Sequence, residues 1–168
     1  MNIEIREARE EELDGAAAVM VSAYEEYRSA LSPRAWEAYA RDIADVRGRL
    51  PDSRLIVALE DGKVAGAVTY YPPRPAGTGE GWPAGWAGVR LLAVAPHARG
   101  RGYGRLLMEE CLRRAREDGA SVLGLHTTEL MAVARGMYER MGFRRAPEYD
   151  FHPTPTFVVM AYRLDLGV

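Results

Sequence analysis

The feature that most restricts this chain lies between Val89 and Leu107. An apolar run, Val89-Arg90-Leu91-Leu92-Ala93-Val94-Ala95, stops at Pro96, passes through Arg99-Gly100-Arg101-Gly102-Tyr103-Gly104 and opens a helical repeat. The run is apolar on both faces apart from Arg90, the pattern of a central strand covered on both sides. Behind it, Leu107, Met108, Cys111, Leu112 and Ala115 recur at helical spacing, and Gly119 is placed to end the helix. A buried strand feeding straight into a helix requires a sheet with helices on its faces.

The turn itself is suited to anions. The first amides of a helix have no internal partner and sit at the positive end of its dipole. Gly100, Gly102 and Gly104 let backbone approach a bulky pyrophosphate, and Arg99, Arg101 and Arg105 can supply counter-charge. A glycine-rich connection with solvated arginines fits the same residues. A dinucleotide fingerprint does not: counted from Gly100 it needs glycine at Arg105, and counted from Gly102 it needs glycine or alanine at Leu107. A Walker-type loop fails as well, because the one lysine, Lys63, is followed by Val64 rather than Ser or Thr.

The remaining pattern fills in a mixed sheet. Ile3 and Ile5 suggest a short first strand, and Glu10, Glu11 and Glu12 open a helix whose Leu13, Ala16, Ala17, Met20, Tyr24 and Tyr27 share one face. Ser32 followed by Pro33 starts a second helix running through Trp36, Tyr39 and Ile43 toward Val46. Residues 54–71 read as a hairpin about Asp61-Gly62. Residues 72–86, with Pro72, Pro73, Pro75, Pro83 and several glycines, form a long loop of the kind that often carries function. A strand over 121–127, a helix from about Glu129 to Met141 stopped by Gly142, and a last strand over Phe157–Tyr162 follow, with 144–151 as a further pairing segment. The expectation is an α+β fold, loosely α/β: a mixed, mostly antiparallel sheet of six or seven strands with helices on both faces. It forms one domain over residues 1–168, which at this length buries roughly 70% of the unfolded surface.

Composition removes several function classes. The net charge of −2, with all but one of the 22 basic residues arginine, argues against a general nucleic-acid binder. Cys111, the single cysteine, makes no internal disulfide or cysteine-based zinc site and fits a reducing, cytoplasmic setting. His97, His126 and His152 lack metalloprotease spacing, so no metal is expected, and no serine lies in a nucleophile elbow. The start carries no secretion signal, and no run is long enough to span a bilayer.

With these residues in view, the chain resembles the GCN5-related N-acetyltransferases, the GNAT family. That family's acetyl-CoA loop reads Arg or Gln, two residues, Gly, one residue, Gly or Ala, matched by Arg99 through Gly104 and preceded by Val94-x-Pro96. A second signature, tyrosine, three residues and Gly-Phe, is matched by Tyr138 through Phe143, with Ala134 one turn earlier. The order of elements agrees along essentially the whole chain.

The resemblance implies a direct transfer of acetyl from acetyl-CoA to an amine of a small molecule or peptide. Its strand ending at Val94 should splay from the strand over 121–127. Backbone of Leu92, Ala93 and Val94 would hold the pantetheine arm and thioester, with the Val94 N–H as oxyanion donor. The amides of Arg99, Gly100, Arg101, Gly102, Tyr103, Gly104 and Arg105 would hold the pyrophosphate. Tyr138 would protonate the leaving thiolate, a phenol of pKa about 10 giving a proton to a thiolate whose acid lies near 8.5; it fits equally a core tyrosine on an apolar helix face. Many members have asparagine where Met131 stands, and a glutamate base on the strand where Trp86 to Arg90 carry no carboxylate. The amine's proton would leave through water, His126 or Glu129. Tyr27, Trp36, Tyr71 and His126 are candidates for the acceptor side, together with Tyr24, Tyr70, Trp82 and Trp86, although core and lid packing explains these aromatics too. A non-catalytic acyl-CoA-binding sensor or interaction module is the alternative, as is transfer of a longer acyl group. No nucleic-acid or membrane partner is expected, and a homodimer is compatible with the family.

Overall fold

The computed structural model describes residues 1–75 and 81–167. Among the described residues, eight strands carry the fold: β1 (Ile3–Glu7), β2 (Arg54–Glu60), β3 (Lys63–Tyr71), β4 (Trp86–Val94), β5 (Val122–Thr127), β6 (Arg144–Arg145), β7 (Phe151–Thr154) and β8 (Phe157–Asp165). The same residues form five α-helices: α1 (Leu13–Tyr24), α2 (Pro33–Ala44), α3 (Val46–Arg49), α4 (Tyr103–Glu117) and α5 (Ala132–Arg140). The strand order is β1-β2-β3-β4-β5-β8-β6, with β7 on β8. The pairs β1–β2, β2–β3, β5–β8, β6–β8 and β7–β8 are antiparallel, and β4–β5 is parallel. The mixed α+β sheet expected from the sequence is therefore present, with one strand more, because 144–154 breaks at Pro147 into β6, a 3-10 turn and β7. Contacts gather into two compact units, Met1–Tyr70 with Leu91–Glu110, and Tyr71–Arg90 with Cys111–Val168.

In the first unit the hairpin forms as the Asp61-Gly62 pair dictates, both residues having positive φ (50° and 82°). The Asn2 amide binds Asp61 Oδ1 and the Asp61 amide binds the Asn2 carbonyl, each at 2.8 Å, which ties β1 to the turn. Helix α1 buries Leu13, Ala16, Met20 and Tyr24 of the expected stripe, and Ala23 beside them, while Ala17 and Tyr27 are only partly buried. A 3-10 turn over Glu10–Glu12 precedes it, and Tyr27 lies beyond its end in a second 3-10 segment, Glu25–Ala30. Helix α2 is capped by Ser32, whose Oγ accepts the Ala35 amide at 3.1 Å, with Pro33 first in the helix. It ends at Ala44 rather than running on to Val46, since Asp45 leaves the helical region and caps the short α3 through the Gly48 amide.

In the second unit, strand β4 begins at Trp86, three residues before the expected start, and pairs with β5 from Trp86↔Val122 to Val89↔Leu125. Helix α5 starts at Ala132, later than Glu129, because Thr128 to Met131 close a turn through a Met131 N–H to Thr128 carbonyl bond. Gly119 (φ 76°) ends α4: its amide reaches the Arg116 carbonyl, and the Ala120 amide reaches that of Ala115. Cys111 is buried, as its place on the apolar helix face requires.

Candidate active site

In the first unit, the second half of β4 departs from regular strand geometry at one residue. Leu91 has φ of 59°, a region costly for any L-residue that carries a Cβ, and its side chain is buried. The following carbonyl, Leu92, accepts the Tyr24 hydroxyl at 2.9 Å. Farther along, the Ala95 amide binds the Ala65 carbonyl of β3 at 2.8 Å. Amides alternate in direction along a strand, so the Val94 N–H points to the edge of β4 away from β3. Gly66 is required beneath this segment, since a methyl there would stand 2.9 Å from the Ala93 carbonyl oxygen.

The glycine turn follows. Gly100 and Gly102 have φ of 78° and 83°, and neither has an atom within 4 Å of the space that a Cβ would take. The first amide donated back along α4 is that of Leu106, to the Gly102 carbonyl at 3.0 Å. The amides of Tyr103, Gly104 and Arg105 thus stand at the positive end of the helix, ahead of its first internal bond. This backbone fits a pyrophosphate. The arginines are already engaged: Arg99 with Glu26 (3.0 Å) and the Ala23 carbonyl, Arg101 with Glu60 (2.9 Å), and Arg105 with Glu109 (3.0 Å). The Tyr103 ring turns into the core, where its hydroxyl donates to Glu60 at 2.5 Å, so only its amide faces the turn. That bond holds the Glu60 carboxyl below its usual range and raises the Tyr103 phenol.

Of the acceptor-side candidates in this unit, Tyr27 is half-buried, and burial, seconded by a hydrogen bond to Glu26, pushes its phenol up to about 12. Trp36 is buried and meets Tyr39 edge-on at 6.3 Å, while Tyr24 meets Tyr27 at 5.9 Å and Tyr39 at 6.1 Å.

In the second unit, Tyr138 is buried in the last turn of α5. Its carbonyl accepts the Phe143 amide at 3.0 Å, Gly142 takes φ of 100°, and the two rings lie 5.8 Å apart. His126 near the end of β5 brings Nε2 to 3.0 Å from the Tyr149 carbonyl. A carbonyl only accepts, so Nε2 carries the proton and the lone pair of the neutral ring is on Nδ1. The His126 ring stacks on Trp82 (4.5 Å) and meets Phe151 edge-on. Tyr71 is buried. Among the described residues, the hydroxyls of Thr127 and Thr128 are buried at the end of β5 without a hydrogen-bond partner, polar atoms that a ligand can satisfy. No group of three or more metal-ligating side chains occurs among the described residues, and none of their helices is long and apolar enough to cross a membrane.

Trp82 belongs to the expected loop over 72–86, of which 76–80 lie outside the described residues. Its indole lies across Gly88 and Gly124, which face each other in the β4–β5 register. A methyl at either would come within 2.7 or 2.9 Å of the indole. Glycines inside both strands were a signal of such a close approach. The helical spacing marks Tyr24 as an apolar-face residue, but no local pattern marks its bond to Leu92, 68 residues away.

Residues 17–143 match the family model described as Acetyltransferase (GNAT) family. The chain is 30% identical over 155 residues to an IAA acetyltransferase of Azospirillum brasilense, covering 91% of this chain and 94% of that one. It is 40% identical over 99 residues to a streptothricin acetyltransferase of Streptomyces lavendulae, covering 57% and 47% respectively. In fold it is similar to the PaiA N-acetyltransferase of Thermoplasma acidophilum solved with coenzyme A, with a TM-score of 0.74, 19% identity, and 96% and 98% of the two chains covered. A GNAT acetyltransferase of Brucella melitensis solved with acetyl-CoA gives a TM-score of 0.69 at 23% identity, covering 99% and 90%.

Proposed function

The chain belongs to the GNAT family of acetyl-CoA-dependent N-acetyltransferases, and from that premise we propose how its residues divide the work. The observation that carries the assignment is the turn at α4, where two left-handed glycines leave the amides of residues 103–105 open ahead of the helix's first bond. These amides hold the pyrophosphate of acetyl-CoA. The arginines at 99, 101 and 105 act through the loop's conformation, each being fixed by a carboxylate. Leu92, Ala93 and Val94 hold the pantetheine and thioester by backbone bonds. The hydroxyls of Thr127 and Thr128 offer the polar contact that Met131 does not.

Acetyl-CoA supplies an activated acetyl group whose carbonyl is attacked by the neutral amine of the acceptor. The Val94 N–H receives the charge that develops on the carbonyl oxygen. Tyr138 gives its proton to the departing thiolate. The amine's proton passes to water or to Nδ1 of His126, whose Nε2 is committed to the Tyr149 carbonyl.

The acceptor is a small-molecule or peptide amine, and Tyr27 and His126 are the half-buried candidates to touch it. Relatives named for IAA and streptothricin support an acceptor of small size. One catalytic domain extends over residues 1–168 and works in the cytoplasm, where a lone buried Cys111 needs no oxidative partner. CoA release against a panel of amines and peptides tests this reading. Thiol release that depends on one class of amine supports it; a panel that releases none, while acetyl-CoA still binds, favours the non-catalytic alternative.

A further inference from the structure

We infer that Tyr24 is a positioning residue for acetyl transfer, its hydroxyl setting the backbone that aims the Val94 N–H. Leu91 occupies a left-handed conformation that a leucine adopts only where its surroundings impose it. The Leu91 side chain is buried, Gly66 admits the Ala93 carbonyl from below, and the Ala95 amide is anchored on Ala65. The remaining restraint falls on the first carbonyl after the kink, Leu92, and Tyr24 supplies it at 2.9 Å.

The direction of this bond is what links it to the reaction. Along a strand, the carbonyl of one residue and the amide two residues later point to the same edge. The Ala95 amide is turned to β3, so Leu92 O and the Val94 N–H share the opposite edge, past the end of the β4–β5 pairing at Val89. The two groups belong to successive peptide units joined at Ala93, so holding the first limits how far the second can turn. Tyr24 is itself held: it is the last residue of α1, it is buried, and its ring is flanked by Tyr27 and Tyr39. The hydroxyl is therefore delivered to Leu92 with little freedom of its own. A donor misplaced by a fraction of an ångström stabilises a developing oxyanion poorly while binding the ground state almost as well.

This inference rests on Val94 as the oxyanion donor, and the experiment separates the two. Wild type and Tyr24→Phe are compared with acetyl-CoA and with its dithioester analogue, in which sulfur replaces the carbonyl oxygen and accepts hydrogen bonds weakly. The ratio of the two rates is independent of the fraction of folded enzyme. Tyr24→Phe is expected to lower kcat by about 10- to 100-fold, with KM for acetyl-CoA within about twofold, and to bring the oxygen-to-sulfur rate ratio toward one. An unchanged kcat, or a lower kcat with an unchanged ratio, overturns the role of Tyr24. A wild-type ratio already near one overturns the oxyanion donor instead.

Discussion

The Phe143 amide donates to the Tyr138 carbonyl at 3.0 Å while the Gly142 amide reaches Glu139 at 3.1 Å, and the rings of Tyr138 and Phe143 meet 5.8 Å apart. The tyrosine, three residues and Gly-Phe signature is thus a helix C-terminal cap in which the residue proposed as acid is part of the cap. Gly142→Ala forces φ near 100° on a residue with a Cβ, which would sit 3.4 Å from Leu164. It should lower stability by about 1–2 kcal/mol, read from denaturant midpoints.

The contact of Trp82 with Gly88 and Gly124 makes a coupled prediction. Gly88→Ala places a methyl 2.7 Å from the indole, an overpacking expected to cost about 1–3 kcal/mol. In a Trp82→Ala background the obstacle is gone, so the same change should cost little. A double-mutant cycle on chemical unfolding measures the difference; equal costs in both backgrounds would remove Trp82 from the account of these glycines.

Much of the fold was readable because its signals are local. The Asp61-Gly62 turn, the Ser32-Pro33 start and the stops at Gly119 and Gly142 act through their own backbone, and each stands where the sequence puts it. The kink at Leu91 was not readable, since nothing in leucine favours a left-handed conformation and its restraints come from Tyr24 and Gly66, distant in sequence. Likewise the glycine-rich turn stands where the sequence puts it, while the engagement of Arg99 by Glu26 and of Arg101 by Glu60 depends on how the 3-10 segment after α1 and the end of β2 fold back on the loop.

Glu12 sets a pH dependence. Hydrogen bonds from Arg6 (2.9 and 2.7 Å), opposed by burial and aided by the Arg9 amide, bring its carboxyl from the usual 4.5 down to about 2. A lowered value means stability that is complete above pH 4.5 and lost as pH falls toward 2. Glu12→Gln should cost about 1–2 kcal/mol at pH 7, and the gap between the two thermal midpoints should close across that acidic window. A gap that is constant from pH 7 to 3 would contradict the assignment.

Gly102→Val tests the phosphate turn. The space over Gly102 is open, so folding suffers only from the strained φ of 83°, whereas a bound pyrophosphate meets the new side chain. Acetyl-CoA affinity should fall by more than about tenfold, a loss of about 1.4 kcal/mol, in a variant that remains folded. Calorimetric titration of wild type and variant reads this directly, and equal affinity would move the phosphate site elsewhere.

Steady-state kinetics of Tyr138→Phe with a reactive amine test the proposed role of Tyr138 as the acid of an acetyl-CoA-dependent transfer. The ring and the cap with Phe143 remain, and only the hydroxyl goes. The expected result is a kcat lower by about 100-fold, the lower end for general-acid catalysis because a thiolate leaves readily, with acetyl-CoA affinity unchanged. A loss of less than about threefold, far below any general-acid contribution, would show that the proton comes from another source.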